Sequence, residues 1–350
     1  MRGHVFIVNR QTLSKHLEYM FVGTSAGERE NNISLLADMM RVKKGDLVFF
    51  YIEGGENQKG RFFGIFKARD DIVYHVKGDE ARYPELPIKL IYRRIIEPYE
   101  VYPKGVLEWI ALDKLPVYSR EVVWTLIYRK MKGKRGNTML FPWETKRLIS
   151  LIQEENVGGF LEGGCFSFNE KSYEIVQSGQ TGSHKLGSPI KIKWEDIKKS
   201  ETHFQTYILQ ELKVEDNDFY PEIFGKNIIW IGNEVFAGSG MQKIDLVTIE
   251  KESETRDIFR IIELKHPRSR VGINFAPEQL EYYINWARED IGGHMLNSRK
   301  FNTKPILLVL TANLGSVNED IVNRVRNLRK ISNQPEIWEI DYDGKQNKIL

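Results

Sequence analysis

Cysteine is almost missing from this chain: Cys165 is alone among 350 residues. That excludes a disulfide framework and any zinc site built on paired cysteines, and it suits a reducing compartment. Long apolar runs are missing as well. The opening MRGHVFIVNRQ is too short in apolar length for a secretory signal, and no window approaches the roughly 18 apolar residues of a membrane span. The expectation is a cytoplasmic chain that does not enter a membrane. No GxxxxGK[ST] occurs, so there is no P-loop; no HxE accompanies a PCxxC, so a zinc deaminase is excluded. Internal repeats and low-complexity tracts are also absent.

What remains is ordinary globular material, 41% hydrophobic and 28% charged, with length enough for two cores. The net charge of +3 hides an asymmetry. Residues 1–150 carry 26 Lys+Arg against 18 Asp+Glu, leaving 25 against 30 in the remainder, so +8 faces −5. A basic front half and an acidic rear half imply different tasks. The densest basic run contains Arg129, Lys130, Lys132, Lys134 and Arg135, a natural contact for nucleic-acid phosphates through counterion release.

Both halves read as α/β. In the front half, VFIVN (5–9), LVFFYIE (47–53), RFFGIFKAR (61–69), PIKLIYRRII (87–96) and VVWTLIYRKM (122–131) are strands. LLADMMRVKKGD (35–46) and FPWETKRLISLIQEE (141–155) are helices, the second with Pro142 in its first turn and Leu148, Leu151 and Ile152 at helical spacing. Glycine and serine then crowd the sequence, and 153–199 reads as a connector between domains at 1–152 and 200–350. The rear domain restarts with a helix at 201–213, strands at 228–235, 243–250 and 259–266, a helix at 277–290, a buried strand at 304–312 and a helix at 318–330. PEIWEIDY (335–342) closes it as an edge strand, giving a mixed sheet with flanking helices.

Chemistry concentrates in Asp245 and the stretch IIELK ending at Lys265. On a strand alternate side chains share a face, so Glu263 and Lys265 point together while Ile262 and Leu264 pack behind. A hairpin across the charged turn KESETRD brings Asp245 beside Glu263. Two carboxylates so placed make an oxygen-rich site for Mg²⁺ (or Mn²⁺). The metal would activate a water, and Lys265 would offset charge growing on a scissile phosphate. Gln279 and Tyr283, at i and i+4, share a helix face downstream.

SETHFQTYI, GNEVFAGSGMQKIDLV, IIELKHP and APEQLEYYINWARE, spanning about residues 200–290, resemble the nuclease domain of the NucS/EndoMS group in the PD-(D/E)xK superfamily. The resemblance implies a restriction-endonuclease-like fold, Asp245 and Glu263 as metal ligands, Lys265 as the catalytic lysine, and Gln279 and Tyr283 at the rim of the site. It also implies an acidic ligand from the first helix. Glu201 matches the family's start of that helix, but Gln205 stands where relatives commonly have glutamate, which leaves the third ligand open among Glu201, Glu211 and Glu234.

GHVFIVN, VKKGDLVFFY, GIFKA and VVWTLIYRKMKGKRGNTMLFPWETKRL resemble PUA-like domains of the EVE/YTH kind, over nearly all of residues 1–152. Such a domain is a β-barrel with helices that holds an unpaired modified base by aromatic stacking, at about 1–3 kcal/mol per base. Trp109, Trp124, Tyr128 and Trp143 are the stacking candidates, and Thr24 and Ser25 offer hydrogen bonds. Together the resemblances imply a metal-dependent, modification-dependent DNA endonuclease acting on duplexes as a homodimer. A mismatch or branched-DNA repair nuclease is the first alternative, and an inactive nuclease fold that binds modified nucleic acid is the second.

Overall fold

The structure, a computed structural model, describes residues 1–25, 31–54, 59–78, 83, 86, 88–113, 136–179, 182, 186–238, 242–269, 272–291, 300–332 and 334–350. The strand expected at 122–131, Trp124, Tyr128, the basic run 129–135 and most of the glycine turn after Gly238 lie outside the described residues. The chain forms two compact units, Met1–Lys191 and Ile192–Leu350, both mixed α/β. Among the described residues no helix is long and apolar enough to cross a membrane.

The described residues of the first unit build a nine-stranded sheet. Strand β1 (Gly3–Val8) lies between β3 (Leu47–Ile52), to which it is parallel, and β8 (Asn137–Leu140), to which it is antiparallel. From β3 the sheet continues through β4 (Arg61–Ala68) to β6 (Tyr92–Pro98), β5 (Tyr74–His75) and β11 (Ser188–Pro189). Strands β2 (Phe21–Thr24) and β7 (Val106–Leu107) branch onto β6 and β4.

Helix α1 (Arg10–Tyr19) is largely polar, and its amphipathic signal rests on Leu13, His16 and Leu17. Asn9 and Thr12 close a reciprocal capping box that starts it. The other helices among the described residues of this unit are α2 (Ile33–Arg41), α3 (Glu108–Asp113) and α4 (Pro142–Glu155). Leu148, Leu151 and Ile152 of α4 pack into a core with Val5, Phe49, Tyr51 and Phe62, as their spacing predicts. Each such burial contributes about 1.5–3 kcal/mol.

Residues 153–199 do not stand apart as a connector. Strands β9 (Phe166–Asn169) and β10 (Glu174–Gln177) form a hairpin whose Phe166 and Phe168 meet Phe66 and Phe63 edge-on within the first unit. The 3₁₀ turn Trp194–Lys199 belongs to the second unit, where the Trp194 indole donates to the Tyr342 carbonyl at 2.7 Å.

The described residues of the second unit form a six-stranded sheet in the order β12 (Ile228–Ala237), β13 (Gln242–Lys251), β14 (Arg256–Lys265), β15 (Lys300–Thr311), β16 (Glu336–Asp341), β17 (Gln346–Lys348). The first three strands are antiparallel, and β14, β15 and β16 run parallel. The expectation that 335–342 is an edge strand is corrected. Gln346–Lys348 folds back on it, because a turn at Gly344 with φ +82° lets three polar residues cover the edge. Among the described residues the unit's helices are α5 (Glu201–Glu211), α6 (Pro221–Phe224), α7 (Ala276–Trp286) and α8 (Glu319–Asn327).

Candidate active site

Strand β14 is the spine of the site. Ile262 and Leu264 are fully buried, as alternation requires, and Glu263 and Lys265 are turned to the other face. The β13–β14 ladder pairs Leu246 with Ile262. One step further, the same register sets Asp245 opposite Glu263. There the ladder gives way to a side chain, and Asp245 Oδ2 accepts from the Leu264 amide at 2.8 Å. The predicted hairpin therefore brings the two carboxylates together.

Lys265 completes the group. It is buried, and its ammonium donates to Glu263 Oε1 at 2.6 Å and to Gln279 Oε1 at 3.1 Å. Gln279 and Tyr283 come from one face of α7, as their i, i+4 spacing predicts. Their tasks differ: Gln279 holds the lysine, and the Tyr283 hydroxyl donates to the Lys243 carbonyl at 2.8 Å, two residues before Asp245. Tyr282, a residue the sequence reading missed, donates to the Ala237 carbonyl at 3.2 Å. The adjacent tyrosines thus clamp both arms of the β12–β13 hairpin. The available signal was the YY pair itself.

The electrostatics are acid-crowded. Burial pushes the Asp245 carboxyl well above the usual range, and the charges of Glu263 and Glu201 push it further, with Glu234 adding less. Burial likewise raises Glu263, although Lys265 pulls it back. Burial also raises the Tyr283 hydroxyl, which stays protonated as a donor. Glu263 Oε2 and Glu201 Oε2 are buried and have no hydrogen-bond partner. Unpaired buried carboxylate oxygens are costly, and a cation beside them relieves the cost.

Glu201 opens α5 next to its N-cap Ser200, close enough for its charge to reach both carboxyls. Yet among the described residues no three acidic, histidine or cysteine side chains converge into a metal cage, so Glu201 does not close the expected three-ligand set. Glu211 lies at the far end of the same helix. Two carboxylates with water and phosphate oxygens is the manner in which Mg²⁺ is usually held.

Gln205 acts on the backbone of the site. Its amide donates to the Asp245 carbonyl at 2.9 Å, fixing the backbone that carries the acid. His266, next to Lys265, is a neutral anchor: its Nε2 faces the Ile197 carbonyl and its Nδ1 accepts from the Arg268 amide, both at 3.0 Å. Burial lowers its pKa.

The described candidates for the reader pocket lie on or beside β2, α3 and α4 of the first unit. Trp109 is exposed on α3, and Trp143 stacks on Phe141 at 4.6 Å. Thr24 is buried against Gly136, where a Cβ would come within 2.1 Å of its hydroxyl oxygen, and Ser25 follows the end of β2. A cavity of about 340 Å³ does open in this unit, with other walls: Val8, Asn9, Arg10, Gln11, Ile52, Glu53 and Glu170.

No family model matches this sequence, and no curated protein matches it. Comparison with solved structures aligns part of the chain with several proteins, among them these three. A hypothetical protein from Leishmania major is 10% identical, with TM-score 0.31, over 44% of this chain and 96% of its own. The human THYN1 protein, solved in complex with 5-methylcytosine-containing DNA, is 9% identical, with TM-score 0.33, over 44% and 98%. A Pseudomonas putida protein is 13% identical, with TM-score 0.29, over 43% and 99%.

Proposed function

We propose that the second unit is a metal-dependent phosphodiesterase that cuts DNA, and that the first unit directs it to a modified base. The observation that carries the reading is the convergence of Asp245, Glu263 and Lys265, with the buried Glu263 Oε2 left unpaired. Asp245 and Glu263 would hold Mg²⁺ or Mn²⁺, and Glu201 is the nearby acid that could join them through water. Bound there, the metal supplies an activated water and offsets charge on the phosphate. The chain's own residues do the rest. Lys265 holds a positive charge at the carboxylates, where it stabilises developing negative charge, and Gln279 fixes its position. Gln205 and Tyr283 keep the Asp245 strand in place.

The modified-base part of the proposal draws on the EVE/YTH resemblance and on a cavity large enough for a base in the first unit. Cutting both strands of a duplex needs two sites, so the proposal includes a homodimer. The test uses plasmids carrying unmodified, methylated, hydroxymethylated or mismatched bases, with Mg²⁺ and with EDTA. The expected result is Mg²⁺-dependent cutting confined to one modified class. Equal cutting of every plasmid would sink base selection, and preference for the mismatch would favour repair.

A further inference from the structure

The site is crowded with acid, and a polyanion must approach it. By register, Asn233 pairs with Leu246 and Val235 with Ile244, which sets Glu234 opposite Asp245. Glu234, Asp245 and Glu263 therefore form one row across three strands. Directly opposed residues share a sheet face, so their like charges repel each other and repel a phosphodiester backbone alike. Lys265 is buried among Glu263 and Gln279 and does not face outward. Another cation stands beside the row. Lys243, two residues before Asp245 and on the same strand face, places its ammonium 3.2 Å from the Glu234 carboxylate.

Three features mark this pair as built. Glu234 has φ +50°, a left-handed conformation that favours glycine, and such strain is held where the surroundings insist on it. The Lys243 carbonyl is gripped by the Tyr283 hydroxyl and Ala237 by Tyr282, so both strands are fixed at this point. The Lys243 ammonium also lies 5.2 Å from the Phe236 ring centroid, which steadies its stem. The pair is nonetheless accessible, with side-chain exposures of 35% for Lys243 and 28% for Glu234.

We propose that Lys243 contacts a backbone phosphate of duplex DNA beside the scissile position, and that Glu234 parks it there until DNA takes the carboxylate's place. The inference rests on the nuclease reading of the same site. An exposed pair of this kind contributes little to stability, so exchanging a carboxylate for a phosphate is inexpensive. Glu234 then spares the free enzyme an unmatched cation and weakens contact with other anions.

Binding is measured on the full chain in EDTA, so that nothing is cut, using fluorescence anisotropy of a labelled DNA duplex across a salt series. Lys243→Ala is expected to weaken binding several-fold and to reduce the slope of log affinity against log salt by about 0.9, the release of one counterion. Lys243→Arg keeps the charge, controls for folding, and is expected to restore the slope. Glu234→Gln removes the competitor and is expected to tighten binding several-fold. A wild-type slope for Lys243→Ala would overturn the proposal. So would a Glu234→Gln variant that weakens binding as much as Lys243→Ala, since that is how a merely structural pair behaves. Failure of the underlying reading shows separately, as no Mg²⁺-dependent cleavage by the wild-type chain.

Discussion

Asp245 is held in a state that costs stability, as the proposed metal site requires. Burial and two neighbouring acids raise its carboxyl above the ordinary 3.8, and Glu263 is raised above 4.5. A raised carboxyl binds its proton more tightly in the folded chain than in the unfolded one. Its contribution to stability is whole below the unfolded value and is lost as pH rises through the folded value. Asp245→Asn is therefore expected to stabilise the metal-free protein at pH 8 by about 1 kcal/mol, or ~3 °C in Tm, with the difference shrinking toward pH 4. Thermal melting in EDTA reads this, and a variant less stable than wild type at pH 8 would contradict it. For the same reason, cleavage should rise with pH as these acids release protons to bind metal. Lys265→Ala should lower cleavage about 10²–10³-fold, since it removes a charge aimed at the reaction. In the first unit, His16 is buried against Phe50 and its pKa falls to about 3 because of burial. This depressed histidine makes the fold lose stability as pH falls from 6.5 toward 3, and His16→Phe should flatten that slope in acid melts.

At the scale of elements, the site depends on how α5 and α7 grip three strands. Gln205 on α5 holds the Asp245 carbonyl, so Gln205→Leu should cut activity about 10–100-fold through metal affinity. A calorimetric Mn²⁺ titration unchanged from wild type would refute that role. What local sequence could show was short-range. The alternation of Ile262, Glu263, Leu264 and Lys265 is set by one strand, the facing of Asp245 and Glu263 by one hairpin, and the pairing of Gln279 with Tyr283 by one helical turn. What it could not show comes from contacts far apart in the chain: Gln205 on the Asp245 backbone, Tyr282 on Ala237, and Gln346–Lys348 closing the sheet edge. Helix α1 was missed for another reason. Its buried face is thin, and the Asn9–Thr12 capping box was its clearest mark. Glu339 is a further long-range case. It is fully buried on β16, and the carboxylate accepts from the Gly315, Ser316 and Val317 amides, holding the loop after β15. The many donors keep its pKa low against the pull of burial. Glu339→Leu should destabilise the second unit by about 2–3 kcal/mol, visible as a lower denaturation midpoint.

Across the whole molecule the charge asymmetry agrees with the proposed division of labour, a basic half suited to a polyanion and an acidic half suited to a divalent cation. The proposed function requires that Asp245 and Glu263 hold one such cation. The direct measurement is a crystal structure of the chain soaked in Mn²⁺, with anomalous scattering to locate the metal. One Mn²⁺ peak is expected in contact with a carboxylate oxygen of each residue, about 2.0–2.3 Å away, and no peak there in Asp245→Asn. Mn²⁺ bound elsewhere, with these two carboxylates making no contact with it, would rule out the proposed metal site.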